Sequence, residues 1–426
     1  MLHSLVFALL PTTWIVDAAN GPGTNFLDLP AAIAAASDGD TILVRAGTYS
    51  PFTITGKNLQ IRGAGAAATL VDALVAGAGP AHAISASPDG IGSVLAGLRI
   101  RGGLQLHGQA NVTLLDCVLQ GTDAVQQGGL ALSVIQSSVA WAQGCRFEGG
   151  SGLPFSLPPG VTPINGGPAV VVYQGRLAAS DCDFVGGDSV VVAPLTAPAG
   201  GNGLTVTVSA QVRLDHCRLR GGDGGTPPMS GSPGIGIDVS NDSHLQLDAF
   251  SSDVVAGGFG VMLGFPYQGT AMRLVNQVWL PPATLHVHGA PSVQGTVTGT
   301  VTFGAPDLPT LAVAATTLPS GETDALQPVT VTFDGLVPLQ PFALLLGLQP
   351  VYGPVGPPLV GDLLLDLGSA GFQVGLLDAA GQFQFGFVPA LVFGGGVPLP
   401  VLAQAAVFEA SGQVRLSNRD ARYYSL

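Results

Sequence analysis

With 426 residues the chain is long enough for two or three domains and a large core, and 62 glycines and 33 prolines with only 10% charged residues describe a turn-rich β protein. A net charge of −13, with Lys57 the single lysine, excludes the clustered cations that nucleic acid or an anionic membrane surface requires. Past the first ten residues, Gly and Pro break every apolar run before the ~18–20 residues of a membrane span.

Leu5-Val6-Phe7-Ala8-Leu9-Leu10 reads as the core of a weak or truncated secretory signal over residues 1–13, although no Lys or Arg precedes it. Trp14-Ile15-Val16-Asp17 reads as a first strand. Residues 30–36, Pro-Ala-Ala-Ile-Ala-Ala-Ala, predict a helix: Asp28 supplies the cap, Pro30 suits the first turn, and the alanines propagate it. Asp38-Gly39-Asp40-Thr41-Ile42-Leu43-Val44 and Gly47-Thr48-Tyr49 follow.

From Asn58 one short sentence recurs. It is written as Asn58-Leu59-Gln60-Ile61-Arg62-Gly63 and at residues 96–103, then around Cys117, Cys145, Cys182 and Cys217, with a degenerate copy at 253–258. All four cysteines occupy one slot, filled by Leu59 and Leu98 in the earlier copies. Cys or Leu at that slot and Ile61, Ile100, Leu119, Phe147, Phe184 or Leu219 two residues later alternate with polar residues, the period of a strand with one buried face. Gly-Gly ends most copies. Spacings of 19 to 39 residues fit a solenoid whose coils carry loops of different length.

The residue before the slot is Asn58, Gly97, Asp116, Gly144, Asp181 or His216, types that tolerate positive φ, so the slot reads as a left-handed corner between two strands. Stacked in register, the cysteines would have parallel Cα–Cβ vectors about 4.8 Å apart, whereas a disulfide needs converging vectors with Cβ atoms near 3.8 Å. They read as free, buried thiols that fill apolar space.

The alanine-rich helix, the Asp-Gly-Asp-Thr-Ile-x-Val-x-x-Gly-x-Tyr segment and the Asn58–Gly63 strand resemble the start of pectate-lyase-like right-handed parallel β-helix proteins. The resemblance spans residues 14–290 and implies that the helix plugs the N-terminal end of the coil stack. It implies a choice of functions, because the group holds polysaccharide lyases, glycoside hydrolases and surface proteins without known activity. The lyases use calcium-binding aspartates beside a basic residue and the hydrolases use paired aspartates on adjacent coils. Neither constellation is evident here.

Residues 284–288 and 293–303 read as further strands that close the helix, giving a β-helix over 14–305. Residues 306–426 read as a β-sandwich, with strands at 329–333, 343–348, 363–367, 383–388 and 402–408 divided by Gly/Pro turns. The segment from Gln404 to Asn418 resembles a small sandwich module at the C-terminus of many secreted bacterial proteins.

Chemistry is sought on the outward positions of the repeat: Gln60/Arg62, Arg99/Arg101, Val118/Gln120, Arg146/Glu148, Asp183/Val185 and Arg218/Arg220. Arg99, Arg101, Arg146, Arg218 and Arg220 form a stripe suited to hydrogen-bonding an elongated glycan. The plainer account is a ladder of cross-coil pairs, Arg146–Asp183–Arg218, on a solvated face. Arg99 and Arg101 are explained least well by it, having no acidic neighbour on the next coil. Asp181, Asp183 and Asp215, with Asp188 and Asp223, are the candidate acid–base carboxylates, most of them better explained as turn or corner residues. His286 and His288 lack a third metal ligand, and Asp238, Asn241 and Asp242 fit an Asx turn as well as calcium, so no metal or cofactor is assigned. Three tryptophans and six tyrosines are few for sugar-stacking platforms. The expectation is a secreted or cell-surface non-catalytic structural or adhesion protein, its partner a polysaccharide or another surface protein; the alternative is a polysaccharide lyase or glycoside hydrolase.

Overall fold

The computed structural model describes residues 12–73, 81–85, 92–123, 128–152, 165–189, 199–215, 217–224, 232–240, 243–248, 253–255, 260–262, 265–267, 270–275, 284–288, 292–294, 296–299, 302–303, 310–314, 323–324, 329–335, 337–347, 350–354, 359–360, 362–365, 371–387 and 399–425. The stretch read as a signal lies outside them up to residue 11, and the first strand, Thr13–Val16, begins one residue earlier than its sequence suggests.

Three parallel sheets wind into a right-handed parallel β-helix. The first, eleven-stranded among the described residues, runs from Thr13–Val16 to Thr302–Phe303. The second and third have nine strands each and run from Gly47–Tyr49 to Ser292–Gln294 and from Thr53–Thr55 to Thr296–Thr298. Successive coils place chemically alike residues in line. Tyr49, Val71, Ile100, Leu119, Phe147, Phe184 and Leu219 form one inward row of the second sheet, and Phe147 and Phe184 stack at 5.1 Å. Residues on such a row are removed from water, each large one contributing about 1.5–3 kcal/mol, so the period-2 alternation and the stack enforce one another.

The N-terminal end is closed as the resemblance implies. The helix Leu29–Ala35 buries Leu29, Ala32 and Ile33 and is capped by the Asp28 carboxylate. Lys57 donates to the carbonyls of Ile33 and Ala36 at 2.8 Å each, placing the one lysine on the helix's orphan C-terminal acceptors. Asp40 of the Asp-Gly-Asp segment accepts from the Thr12 and Ser37 amides and from Trp14 Nε1 at 2.7, 2.9 and 3.0 Å. Burial pushes its carboxyl up, but these donors outweigh burial and hold it below the usual range. Gly39 between the two aspartates has φ +84°, which explains the glycine.

The corners are left-handed as expected at Gly97, Asp116, Gly144 and Asp181, with φ of 61°, 48°, 61° and 53°, but Asn58, which precedes a first-sheet strand, does not have positive φ. His216 lies outside the described residues. Cys117, Cys145, Cys182 and Cys217 form no disulfide and are buried in one line behind these corners. The Cys117, Cys145 and Cys182 thiols each donate to the carbonyl two residues back, at 3.2, 3.3 and 3.1 Å. Burial pushes the Cys117 and Cys182 thiols up, away from thiolate.

In most coils the segment between the second and third sheets is flanked on both sides by glycine, and these glycines form a neck. Outgoing Gly150, Gly187 and Gly222 interleave with incoming Gly129, Gly167, Gly201 and Gly234. Six of these seven amides donate to a glycine carbonyl of the facing column: Gly150 to Gly129 and Gly222 to Gly201 at 2.7 Å, and Gly167 to Gly150, Gly187 to Gly167, Gly201 to Gly187 and Gly234 to Gly222 at 2.8 Å; Gly129 donates to the Thr122 carbonyl at 2.7 Å. The two columns approach so closely that only glycine fits.

The three stacked parallel sheets end by Phe303, and from Thr310 on the pairing is mainly antiparallel, with short parallel pairs at Thr323–Asp324 and Leu359–Val360. Here a three-stranded sheet (Thr310–Ala314, Val329–Asp334, Gln382–Phe387) faces a six-stranded one across a core of Val329, Val331, Phe333, Phe342, Leu344 and Ala405. This is the C-terminal sandwich. Six strands of this region escaped the sequence reading: Thr310–Ala314, set among prolines, Thr323–Asp324, Pro350–Pro354, Leu359–Val360, Gly371–Leu376, interrupted by Gly375, and Val414–Ser425.

Candidate functional site

The second sheet carries two outward rows. One holds Leu70, Arg99, Val118, Arg146, Asp183, Arg218 and Asp253. The other holds Asp72, Arg101, Gln120, Glu148, Val185 and Arg220. The five expected arginines are therefore on one face. Gln60 and Arg62 are not: the strand Gln60–Gly63 pairs with Thr41–Val44 and Ser93–Ala96 in the first sheet, and Arg62 is buried there. Both strands alternate in the same way, so the pattern alone aligned the wrong one. The residues beneath Arg99-Ile100-Arg101 are Leu70-Val71-Asp72, and Thr69, not Leu59, lies beneath the cysteine slot.

This register corrects the reading of Arg101, whose acidic neighbour stands on the preceding coil. Arg101 Nη1 lies 3.2 Å from Asp72 Oδ2; the guanidinium side chain is 45% exposed and the carboxylate 7%. The other Asp72 oxygen is buried and has no hydrogen-bond partner among the described residues. Arg146 and Gln120 both donate to Glu148, one to each oxygen. Arg220 pairs with Asp223 at 2.8 Å. The ion pairs at Arg146 and Arg220 thus run along the chain, and Asp183 stands in register between Arg146 and Arg218.

Asp72, Arg101, Gln120 and Glu148, with Asp123 and Ser151 from the loop bases, line an open groove of about 540 Å³. Asp123 Oδ1 accepts the Ser151 amide at 2.7 Å, Ser151 Oγ accepts the Asp188 amide at 3.3 Å, and Asp188 Oδ1 accepts the Asp223 amide at 2.7 Å. These side chains stitch successive loop bases together, so Asp188 and Asp223 serve as turn residues. Behind the groove, His82 fills an inward position beside Leu104. Its Nε2 meets the Arg101 carbonyl at 2.9 Å and its Nδ1 accepts the Phe52 amide at 3.4 Å, which assigns the Nε2–H tautomer. Burial pushes its pKa down, against that bond to Arg101 and the Asp72 charge.

The three carboxylates read as acid–base candidates fall at three kinds of position. Asp181 is an exposed corner, Asp183 sits on an outward row, and Asp215 ends a first-sheet strand in line with Ser180, its side chain outside the described set. Asp238 is not a turn residue: it lies within the strand Ile237–Ser240 and takes Arg273 Nε and Nη2 at 2.9 and 2.6 Å, which raises the Arg273 pKa. Asn241, Asp242 and the side chains of His286 and His288 lie outside the described residues. Among the described residues no group of three or more His, Cys, Asp or Glu side chains could hold a metal ion. Asp72 and Asp123 are the residues that sequence reasoning missed; the usable signal was coil length, since Asp72 precedes Arg101 by 29 residues, within the span of one coil.

The chain matches no protein-family model and no curated protein sequence. Among solved structures it is similar to pectin methylesterase PemA from Erwinia chrysanthemi, at 15% identity over 67% of this chain and 92% of that one, with a TM-score of 0.35. It is also similar to a pectate lyase, at 12% identity, 68% and 78% coverage and a TM-score of 0.35. A pectin methylesterase from Aspergillus niger gives 12% identity, 69% and 85% coverage and a TM-score of 0.31. The likeness is one of fold.

Proposed function

We propose that the protein is an extracellular glycan-binding scaffold, a non-catalytic structural or adhesion protein that holds a polysaccharide along the arginine-bearing face of the second sheet. The groove at Asp72, Arg101, Gln120 and Glu148 carries this reading. It offers donors and acceptors at coil-to-coil spacing, about 4.8 Å, and its charges are largely satisfied within the protein. Glu148 holds Arg146 and Gln120, Asp123 holds a loop amide, and Asp72 holds Arg101. Such a surface suits the hydroxyls of a neutral or mixed-charge glycan. A polyanion would meet Asp72, Asp123 and Glu148 together with a net charge of −13. Arg99, Arg146, Arg218 and Arg220 extend the binding face along the stack.

One observation favours a second reading, a polysaccharide lyase or glycoside hydrolase: Asp72, paired with Arg101 through one oxygen, keeps its other, buried oxygen without a hydrogen-bond partner among the described residues. Glycan-array binding and polysaccharide depolymerisation, each with and without calcium, separate the two. The scaffold reading expects binding without new reducing ends, weakened roughly tenfold or more by Gln120→Ala or Arg101→Ala as one charge-assisted bond is lost. Product formation that disappears in Asp72→Asn establishes the enzyme. Neither binding nor cleavage removes both.

A further inference from the structure

The strand Gly371–Leu376 forms one edge of the six-stranded sheet, and among the described residues it pairs only with Pro341–Gly347. An open edge presents a row of unsatisfied amides and carbonyls, which proteins ordinarily guard with charge, proline or a cover. This edge has none of these within Gly-Phe-Gln-Val-Gly-Leu. Instead Phe372, Val374 and Leu376, on one face by strand alternation, are 74%, 66% and 64% exposed. Cross-strand register sets them beside Leu345, Ala343 and Pro341. Ala343 belongs to a buried cluster with Ala406 and Leu416, covered on the same face of the sheet, so the exposed row continues an apolar layer past the end of its cover.

We propose that two copies of this chain associate by antiparallel pairing of this strand with itself. A two-fold axis through Val374 sets Phe372 of each copy opposite Leu376 of the other and Val374 opposite Val374, so all six side chains fall on one face. Gln373 meets Gly375 on the other. The sequence is thus complementary to its own reverse about that axis, the requirement for an isologous interface. No charge enters the paired strands, although each chain carries −13 elsewhere. Two six-residue strands bury less than the roughly 1,000 Å² of a stable interface, so the dimer is weak, and long-range repulsion between the acidic copies weakens it further at low salt.

Sedimentation velocity of the full chain, from low micromolar to several hundred micromolar and at low and high salt, tests this. The expected result is a reversible monomer–dimer equilibrium that tightens as salt rises, the opposite of an interface built on ion pairs. Val374→Lys places two ammonium groups face to face on the axis and raises the dissociation constant roughly tenfold or more; residue 374 is exposed, so its circular dichroism stays that of the parent. Val374→Cys forms an interchain disulfide under mild oxidation, and Phe372→Cys alone does not. A monomer under every condition, or a dimer that survives Val374→Lys, overturns the proposal.

Discussion

Gly187→Ala tests whether the glycine columns hold the coil stack together. A Cβ on Gly187 would lie 2.0 Å from the Gly150 carbonyl oxygen and 2.6 Å from its carbon, where about 3.0 Å is the least that real contacts allow. The obstacle is backbone, so relief needs a separation of at least 3.0 − 2.0, or 1.0 Å, between adjoining coils. The bonds Gly187 to Gly167 and Gly201 to Gly187, both 2.8 Å, would then open toward 3.8 Å and cease to be hydrogen bonds. Two net bonds at about 1 kcal/mol each, plus residual strain of about 1 kcal/mol, amount to a loss of about 3 kcal/mol. Urea unfolding followed by tryptophan fluorescence, to which Trp141, buried on the outward row of the first sheet, contributes, reads this loss as a lowered midpoint. Gly386→Ala is the contrast: its nearest contact is 3.8 Å away, so the same methyl is expected to leave the sandwich unchanged or stabilise it by up to about 1 kcal/mol. An unchanged Gly187→Ala midpoint would refute the reasoning.

The four buried thiols should be silent to a thiol reagent in the native protein and react in full only after unfolding; partial native labelling would show that the line behind the corners is accessible. Lys57→Met keeps the aliphatic stem and removes two bonds to the helix C-terminus, so it should lower stability by about 1 kcal/mol, read in thermal melts. His82 has a folded pKa below its unfolded value of 6.5. Its contribution is therefore complete above that value and declines as pH falls through it toward the folded pKa, since the unfolded chain takes the proton first. Melts between neutral and mildly acidic pH should show this slope in the parent and a flatter one in His82→Leu, which continues the Leu104 row; equal slopes would count against it.

Inward positions were legible in the sequence because burial at period two leaves a clear signal, as at Ile100, Leu119, Phe147 and Phe184. The corners were legible because Asp116 and Asp181 belong to the few residue types that tolerate positive φ. What escaped was register between sheets. Asn58–Gly63 and Leu98–Gly103 share an alternation, yet one strand lies on the first sheet and the other on the second. Alternation reports which face is buried and carries no label for the sheet. Asp72 was missed for that reason: its partner is fixed by the length of an intervening coil. The edge strand Gly371–Leu376 escaped for another, since its glycines dilute strand propensity while leaving Phe342 room to pack against Gly375.

The neck glycines also bear on how the groove is kept. Cys117 and Cys145 are 28 residues apart, and Cys145 and Cys182 are 37 apart, yet Val118, Arg146 and Asp183 stand in line. The extra residues fall, in sequence, between the outgoing and the incoming glycines, and the register of the outward row does not change with their number. Gln120 and Glu148 stand immediately before Gly121 and Gly149 and inherit their positions from that closed neck. The inward row supplies the stability and the neck supplies the register, which leaves the outward residues free to be chosen for what they bind. A substitution at Gln120 should therefore change recognition at little cost in stability, whereas one at Gly187, which does not line the groove, should loosen the frame on which the groove stands.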